Sequence, residues 1–167
     1  HLVRMHQEEG LSFKNVISFN LDEYFPIKPD SLQSYVRFMR EQLFDHVDIP
    51  TENYFLPDGT IEESAVKEFC EEYERKIDAL GGLDFQLLGI GGNGHIGFNE
   101  PGSSVKSRTR EVELTTETME ANKSHFGAGK MPSKALSMGI GSILEGKELL
   151  MLATGKSKAA AIKYLLN

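Results

Sequence analysis

Cysteine and tryptophan are nearly missing from this sequence, which has one cysteine and no tryptophan. The single Cys70 excludes an intramolecular disulfide and any zinc site built from several cysteines. Cys70 lies on the apolar stripe of a predicted helix, where a free thiol packs as a small hydrophobic group. We therefore predict a buried structural thiol that takes no part in chemistry.

Long apolar runs and basic runs are missing as well. No apolar stretch approaches the roughly 20 residues that a membrane-spanning helix needs, and the first residues lack the pattern of a signal peptide. The formal net charge is −7, and no run of five or more Lys and Arg is present to contact phosphates. These absences predict a cytoplasmic protein whose partners include neither membranes nor nucleic acids.

The composition is that of one α/β domain covering residues 1–167. The 167 residues are 40% hydrophobic, and a domain usually has roughly 100 to 200 residues. Strand-like apolar runs alternate with helical periodicity, a pattern typical of βαβ units around a mostly parallel sheet. The predicted strands cover residues 16–20, 83–90, 111–115, 134–140 and 148–154, and we expect 83–90 to be a central strand.

Helical periodicity is clearest between the first two predicted strands. Apolar residues from Leu32 to Phe44 fall on one helical face, with Asp30 as the N-cap and Gln33 completing a capping box. The other predicted helices are an amphipathic helix from Val66 to Gly81-Gly82 and two short helices over 116–126 and 156–166.

Both ends of the chain fall inside helix-like segments. The first residues look like the last turns of a helix closed by Gly10, and Asn167 ends a helix that has hardly begun. Because a domain rarely starts and stops within such elements, we expect the chain to be truncated at both ends.

A glycine-rich stretch, GIGGNGHIGFNEPGSS at 89–104, follows the predicted strand 83–90. Its Gly89, Gly91 and Gly94 match the spacing of a dinucleotide-binding turn. That fingerprint has to open a long helix whose N-terminus receives the pyrophosphate. Here more glycines and a proline follow, and no helical repeat begins. The spacing therefore argues only weakly for a nucleotide.

The same stretch holds side chains that can transfer protons, at the carboxyl end of a strand where open α/β sheets bind ligands. They include Asn93, His95, Asn99 and Glu100, and a carboxylate beside a histidine can fix its tautomer. Asp22 and Glu23, in the loop-like NLDEYF, should emerge at the same sheet edge. This set suits the enolisation of a sugar. The structural alternative is that the histidine only hydrogen-bonds the loop and the glutamate caps a turn.

A metal site is less attractive, because the chain has no compact spacing of ligands such as His-x-x-x-His.

Five segments, in order along nearly the whole chain, together resemble the glucosamine-6-phosphate deaminase family. They are FNLDEY at 19–24, GIGGNGHIGFNEPGSS at 89–104, SRTR at 107–110, ALSMGIGSIL at 135–144 and GKSKA at 155–159. The combination of the first two is highly specific. The related 6-phosphogluconolactonases typically carry an Asp-Gly-His-Thr-Ala-Ser-Leu-Phe loop, which this sequence lacks.

The resemblance implies a Rossmann-like sheet with helices on both faces and a hydrolase that acts on the C–N bond of an amino sugar without a cofactor. Its reaction converts glucosamine 6-phosphate and water to fructose 6-phosphate and ammonia. The resemblance implies that Asp22 moves a proton between C2 and C1, that His95 shuttles a proton as the pyranose ring opens, and that Glu100 is the carboxylate partner of His95. Asn93 matches a position that is Asp or Asn in the family. Because an amide cannot ionise, the charge that polarises the histidine should come mainly from the glutamate.

The resemblance also implies residues that bind the substrate. Glu23 and Gly91 are predicted to bind the sugar, and Lys158 its phosphate. A second phosphate loop of the family, rich in Gly and Ser/Thr on an upstream strand, is not found in residues 1–167. A phosphate-binding arginine usual after Ala-Asn is missing too, and Lys123 could substitute for it.

Some members of the family are hexamers activated by N-acetylglucosamine 6-phosphate, and we expect a homo-oligomer here. Ser103 and Arg110 match two of the residues that hold the effector's phosphate, whereas Val112 stands where those members have a lysine. Loss of a charge-assisted contact worth roughly 1.5 to 3 kcal/mol predicts weak or absent activation.

Two alternatives stay open at this point. The chain could be a sugar-phosphate hydrolase of the 6-phosphogluconolactonase type, or a non-catalytic sugar-phosphate-binding domain of a larger protein. The joint presence of Asp22, His95 and Glu100 argues against the second alternative.

Overall fold

The computed structural model describes residues 1–126 and 129–166, in which strands and helices alternate along the chain as predicted. The strands are β1 (Ser18–Phe19), β2 (Asp22–Phe25), β3 (Tyr54–Phe55), β4 (Phe85–Gly89), β5 (Arg110–Glu113), β6 (Lys134–Ser137) and β7 (Glu148–Leu152). The α-helices are α1 (Leu2–Glu9), α2 (Tyr35–Gln42), α3 (Val66–Ala79), α4 (Thr116–Phe126), α5 (Ile140–Leu144) and α6 (Ala159–Leu165).

The strands form two parallel pairs and one antiparallel ladder. β1 pairs with β3 and β4 with β7, both in parallel, as the βαβ pattern predicted. β2, β6 and β5 form an antiparallel sheet in that order, which the sequence did not lead us to expect. β2 starts three positions after β1 ends, and a link this short cannot make the crossover that a parallel neighbour requires. The segment NLDEYF is therefore mostly strand, and Asp22 is the first residue of β2.

The start of α2 differs from the prediction. Its N-cap is Ser34, not Asp30, and the side chain of Ser34 accepts a hydrogen bond from the main-chain N–H of Val36. Leu32, which we placed on the buried stripe, lies before the helix and is 73% exposed. The capping-box pattern was wrong because a better cap, described below, lies four residues downstream.

The packing of α3 follows its sequence pattern closely. Cys70, Tyr73 and Ile77 are buried on one face, which confirms the prediction of a buried thiol. The hydroxyl of Tyr73 donates to the carbonyls of Asn20 and Phe55, at the carboxyl ends of β1 and β3. The helix therefore fixes the sheet edge at which the site lies.

The two parallel pairs leave edges open. Within residues 1–126 and 129–166, β1 and β4 each pair with one neighbour, although we predicted a central position for β4. Between them lies a cavity of about 790 Å³, whose lining includes Ile17, Phe85 and Leu87. These three side chains are 44%, 55% and 54% exposed. In the part of the chain that the structure describes, no helix has the length and apolar character to cross a membrane.

Candidate active site

The glycine-rich loop leaves the carboxyl end of β4. Because Gly89 pairs with Leu152 in the parallel β4–β7 register, the loop after β4 and the turn after β7 emerge at one edge. Open α/β sheets bind their ligands at such edges. The candidate site is the group of side chains that meet there.

Asn93, His95 and Glu100 form a continuous hydrogen-bonded chain within this loop. Asn93 Nδ2 donates to Glu100 Oε2 at 2.9 Å, and Asn93 Oδ1 lies 2.8 Å from His95 Nδ1. Asn93 Oδ1 also accepts the main-chain N–H of His95 at 3.1 Å. The amide orientation is thereby fixed, because a carboxylate only accepts and a main-chain N–H only donates.

This orientation assigns the tautomer of the histidine. An amide oxygen can only accept, so the Nδ1 of His95 carries the hydrogen and the neutral ring keeps its lone pair on Nε2. The sequence predicted a direct pair between His95 and Glu100. The structure instead places Nδ1 3.9 Å from Glu100 Oε2, with the Asn93 amide bridging the two groups.

Glu100 is held as a carboxylate by the start of α4. Its Oε1 accepts the hydroxyls of Thr115, at 3.0 Å, and of Thr118, which is 1% exposed. Burial alone would raise the pKa of Glu100, but the hydrogen bonds from Thr118, Asn93 and Thr115 outweigh it and lower that pKa. The glutamate therefore stays ionised near neutral pH.

Gly91 and Gly97 leave space for neighbouring side chains that a Cβ at either position would crowd. A Cβ on Gly91 would lie 2.2 to 2.4 Å from the ring atoms of His95, so any side chain there would displace the imidazole. Gly97 has a φ of +58°, and its Cβ would lie 3.2 Å from Asp22 Oδ2 and 3.1 Å from Ser137 Oγ. Gly91, which was part of the apparent nucleotide turn, thus admits a histidine ring, and Gly97 admits a carboxyl group.

Asp22 lies against the same loop, as the sheet-edge argument predicted. Its strand neighbour in the antiparallel ladder is Ser137, whose Oγ accepts the main-chain N–H of Phe98 at 3.1 Å. Burial, and then the charge of Glu23, raise the pKa of Asp22 to about 7. A carboxyl group with that pKa can both accept and return a proton near neutral pH.

Glu23 points away from this cluster. It is 1% exposed, and both of its oxygens accept hydrogen bonds from main-chain N–H groups at the start of α2. We predicted that Glu23 binds substrate, but its carboxylate is committed to protein donors. Gly91, also predicted to bind substrate, has its main-chain N–H bonded to the carbonyl of His95.

The residues that we predicted to bind the substrate phosphate or the effector lie on several different elements. Lys158 ends a short 3-10 turn after β7, at the same sheet edge as the loop. Lys123 lies on α4, 3.4 Å from Glu120. Ser103 follows a turn in which its N–H bonds the carbonyl of Glu100. Arg110 turns inward and donates to Asn99 Oδ1 at 2.9 Å.

Sequence reasoning counted Asn99 only among the side chains that can transfer protons, and it missed Thr118 and Ser137, which hold the loop in place. Asn99 is 3% exposed and donates to the carbonyls of Ile96 and Met138. Thr118 lies 18 positions from its partner Glu100, and Ser137 lies 39 positions from its partner Phe98, so no local sequence pattern predicts either contact. Among residues 1–126 and 129–166, no group of three or more His, Cys, Asp and Glu side chains could hold a metal ion.

Comparison with known proteins gives a consistent family likeness. A family model described as glucosamine-6-phosphate isomerases/6-phosphogluconolactonase matches residues 1–167. A glucosamine-6-phosphate deaminase of Bacillus velezensis is 52% identical over 99% of this chain and 68% of its own length. The chain spans about two thirds of the length of such relatives, from 66 to 68%.

Solved structures agree at the level of the fold. A structure described as a monomeric glucosamine-6-phosphate deaminase matches with a TM-score of 0.94 and 47% identity, over 99% of this chain and 68% of that one. The 6-phosphogluconolactonase of Thermotoga maritima matches with a TM-score of 0.73 and 19% identity, over 99% and 69% of the two chains. The second likeness concerns the fold alone.

Proposed function

The chain belongs to the family of glucosamine-6-phosphate isomerases and 6-phosphogluconolactonases, and we propose that it converts glucosamine 6-phosphate and water to fructose 6-phosphate and ammonia. The observation that carries this proposal is the chain from Glu100 through Asn93 to His95 beside a second, protonatable carboxyl group at Asp22. The reaction combines an aldose-ketose isomerisation with a deamination, and no organic cofactor or metal has a step in it.

His95 opens the sugar ring in this proposal. Its Nε2 lone pair accepts the proton of the C1 hydroxyl, and the ring returns that proton to the ring oxygen as the C1–O5 bond breaks. The imidazolium that forms in between donates to Asn93 through Nδ1, and the fixed negative charge of Glu100 stabilises it through the amide. Asn93 therefore holds the tautomer and transmits the charge without ionising.

Asp22 acts on the open chain. As a carboxylate it removes the proton from C2, and as a carboxylic acid it delivers that proton to C1. One proton of the 2-ammonium group passes to the aldehyde oxygen, so that the product has a hydroxyl at C1 and a protonated imine at C2. Water then adds to the imine carbon, and ammonia departs. The pKa of about 7 suits a group that must be found in both protonation states during one turnover.

The substrate phosphate is assigned to Lys158. Support comes from its place after β7, at the same edge as the His95 loop, and from its match to the family's lysine. Lys123 is the further cation that we assign to the phosphate, and it must leave its contact with Glu120 to serve. With Val112 beside an Arg110 that bonds Asn99, we keep the prediction of weak or absent activation by N-acetylglucosamine 6-phosphate.

The deaminase is favoured over a 6-phosphogluconolactonase by Asp22. Hydrolysis of a lactone moves no proton between neighbouring carbons and gives a base at this position no task. The relatives at 47 to 52% identity carry the deaminase name, whereas the lactonase likeness is 19%. A cytoplasmic location and a homo-oligomer stay predictions, and one similar structure is described as monomeric.

The proposal is tested in the full-length protein by a coupled assay for ammonia released from glucosamine 6-phosphate. Asp22→Asn should abolish exchange of the C2 hydrogen with solvent, measured by NMR in D₂O. His95→Gln should chiefly slow ring opening and be partly rescued by open-chain substrate analogues. His46→Gln is the matched control, because His46 is exposed and bonds only the carbonyl of Glu41 among the described contacts. Ordinary turnover by Asp22→Asn would refute the mechanism, and no ammonia from the wild type would refute the function.

A further inference from the structure

The Glu23 side chain has four hydrogen bonds, all from protein donors. Oε1 accepts the main-chain N–H groups of Tyr24 and Tyr35, at 2.9 and 3.1 Å. Oε2 accepts the hydroxyl of Ser34 and the N–H of Val36, at 2.7 and 3.1 Å. Among the described residues, these four donors occupy both oxygens. Burial raises the pKa of Glu23, and the hydrogen bonds oppose that rise because they favour the ionised form of the glutamate.

Two of these donors belong to the first turn of α2. The N–H groups of a helix's first turn have no partner within the helix, and a negative charge there is favourable. Ser34, the N-cap, is fully buried and links the helix to Glu23 through its hydroxyl. The glutamate thus fastens α2 to β2.

Asp22 and Glu23 are neighbours on β2 and point to opposite faces of the strand. Glu23 faces α2, while Asp22 faces Gly97 and Ser137. The helix that Glu23 holds begins with Tyr35, whose ring stacks with that of Phe98 in the catalytic loop at 6.4 Å between ring centroids. The buried charge is therefore attached both to the strand of the base and to the helix that packs on the loop.

We propose that Glu23 is a positioning residue that acts through Asp22: it keeps a fixed negative charge directly behind that carboxyl group and holds Tyr35 and the first turn of α2 against β2. The proposal rests on the proposed function in one respect, that Asp22 is the base. It replaces the predicted contact between Glu23 and substrate.

A negative charge beside Asp22 matters because a carboxylate with an ordinary pKa is a weak base for removing the proton from C2 of the sugar. The titratable groups that interact electrostatically with Asp22 are Glu23 and Tyr24 on its own strand, Tyr35 at the start of α2 and Tyr73 on α3. Burial raises the pKa of each of these three phenols, so they stay neutral near pH 7. The loop and β6 contribute Gly97 and Ser137, which do not titrate. Arg110 on β5 is the strand partner of Ser137 on β6, and its guanidinium donates a hydrogen bond to Asn99. Among these groups Glu23 supplies the charge that favours the protonated form of Asp22.

The test compares three variants of the full-length protein. Glu23→Gln keeps the length but removes the charge, and Glu23→Asp keeps the charge but is too short to bond α2. Ser34→Ala removes the hydrogen bonds of the hydroxyl to Glu23 and to the N–H of Val36 without a change of charge. Two quantities are measured: the acid limb of the pH profile of kcat/KM, and the titration midpoint of the Asp22 carboxyl carbon by ¹³C NMR.

In Glu23→Gln we expect both midpoints to move to lower pH by about one unit, because a buried like charge is gone. Glu23→Asp and Ser34→Ala should lower the melting temperature and leave both midpoints in place. An unchanged Asp22 midpoint in Glu23→Gln, or a wild-type midpoint near the ordinary value of about 4, would overturn the proposal. If Glu23→Gln does not fold, the titration midpoints of Asp22 in the wild type and in Glu23→Asp still test the proposal. The NMR titration needs no turnover, so its result is separate from a failure of the proposed deaminase activity.

Discussion

Asp22 makes the folded chain less stable, because its carboxyl group is buried beside Glu23. Its pKa is about 7 in the folded state and about 3.9 in an unfolded chain. Between these values the unfolded chain has lost the proton and the folded chain has kept it. Stability therefore falls as the pH rises from about 4 to 7, and the full penalty is present above pH 7. The same burial makes the carboxylate more basic, so the role that we propose for Asp22 and the stability of the fold oppose each other at this residue.

Replacing Asp22 by Asn should remove that penalty while it removes the activity. At about 1.36 kcal/mol per pKa unit, we expect Asp22→Asn to raise the free energy of unfolding by up to about 4 kcal/mol at pH 8 and by about 1.5 kcal/mol at pH 5. Urea denaturation at the two pH values measures both quantities.

Asp84→Asn is the control for this experiment, since Asp84 is exposed and pairs only with the surface Lys147 among the described ion pairs. It should change stability little at either pH. An Asp22→Asn variant that is less stable than wild type at pH 8 would contradict the electrostatic account of Asp22.

At the scale of secondary-structure elements, Glu74 joins three segments that support the site. It is 8% exposed on α3, and it accepts the N–H and hydroxyl of Thr109 and the hydroxyl of Ser142. Arg108 pairs with it at 2.8 Å. One carboxylate thus fixes α3, α5 and the residues leading into β5, where Arg110 bonds Asn99 of the catalytic loop.

Glu74→Gln should lower the free energy of unfolding by about 2 to 3 kcal/mol. The amide keeps an oxygen for the bonds that Oε1 accepts, but it lacks the charge that strengthens them and its NH₂ group replaces Oε2 opposite the Arg108 cation. Burial opposes the charge of Glu74, but the hydrogen bonds from Ser142 and Thr109 lower its pKa overall. Its contribution is therefore present above about pH 4 and is lost as the pH falls below that value. Chemical denaturation at pH 7 measures the effect.

Glu72→Gln is the matched control on the same helix, because Glu72 is exposed and pairs with Arg75. We expect it to cost less than about 0.5 kcal/mol. Equal effects of the two substitutions would show that the cluster around Glu74 adds no stability.

The sequence predicted elements better than it predicted their ends and partners. The apolar periodicity of Cys70, Tyr73 and Ile77 predicted the buried face of α3, because residues on one side of a helix recur every three or four positions in the sequence. The start of α2 was wrong because its cap includes Glu23, a residue eleven positions before Ser34. Helix-capping patterns, which are local in sequence, cannot predict a carboxylate that belongs to another secondary-structure element.

The candidate site divides in the same way. Asp22, Asn93, His95 and Glu100 were predicted from residue types at strand ends and from the family resemblance, and the structure brings them to one sheet edge. The bridging amide of Asn93 between His95 and Glu100 was not predicted, because it depends on how the loop folds back on itself. The role of Thr118 depends on α4, whose contact with Glu100 is set by tertiary packing.

At the scale of the whole molecule, the open edges of β1 and β4 distinguish this chain from a closed α/β sheet. Parallel sheets are normally covered on both faces, and a two-stranded pair is marginal by itself. Here Ile17, Phe85 and Leu87 line a cavity of about 790 Å³ and are about half exposed. Exposed apolar edges of this kind bind hydrophobic dyes and favour association.

We therefore expect the 167-residue polypeptide, produced by itself, to enhance the fluorescence of the dye ANS several-fold and to elute in size-exclusion chromatography ahead of a monomer. Leu87→Lys places a charge in the cavity and should reduce both effects. Leu32→Lys is the matched control, since Leu32 is 73% exposed but does not line the cavity. Equal reduction by the two substitutions would mean that the dye binds general apolar surface, and a monomer without dye binding would show that the edges are closed in solution.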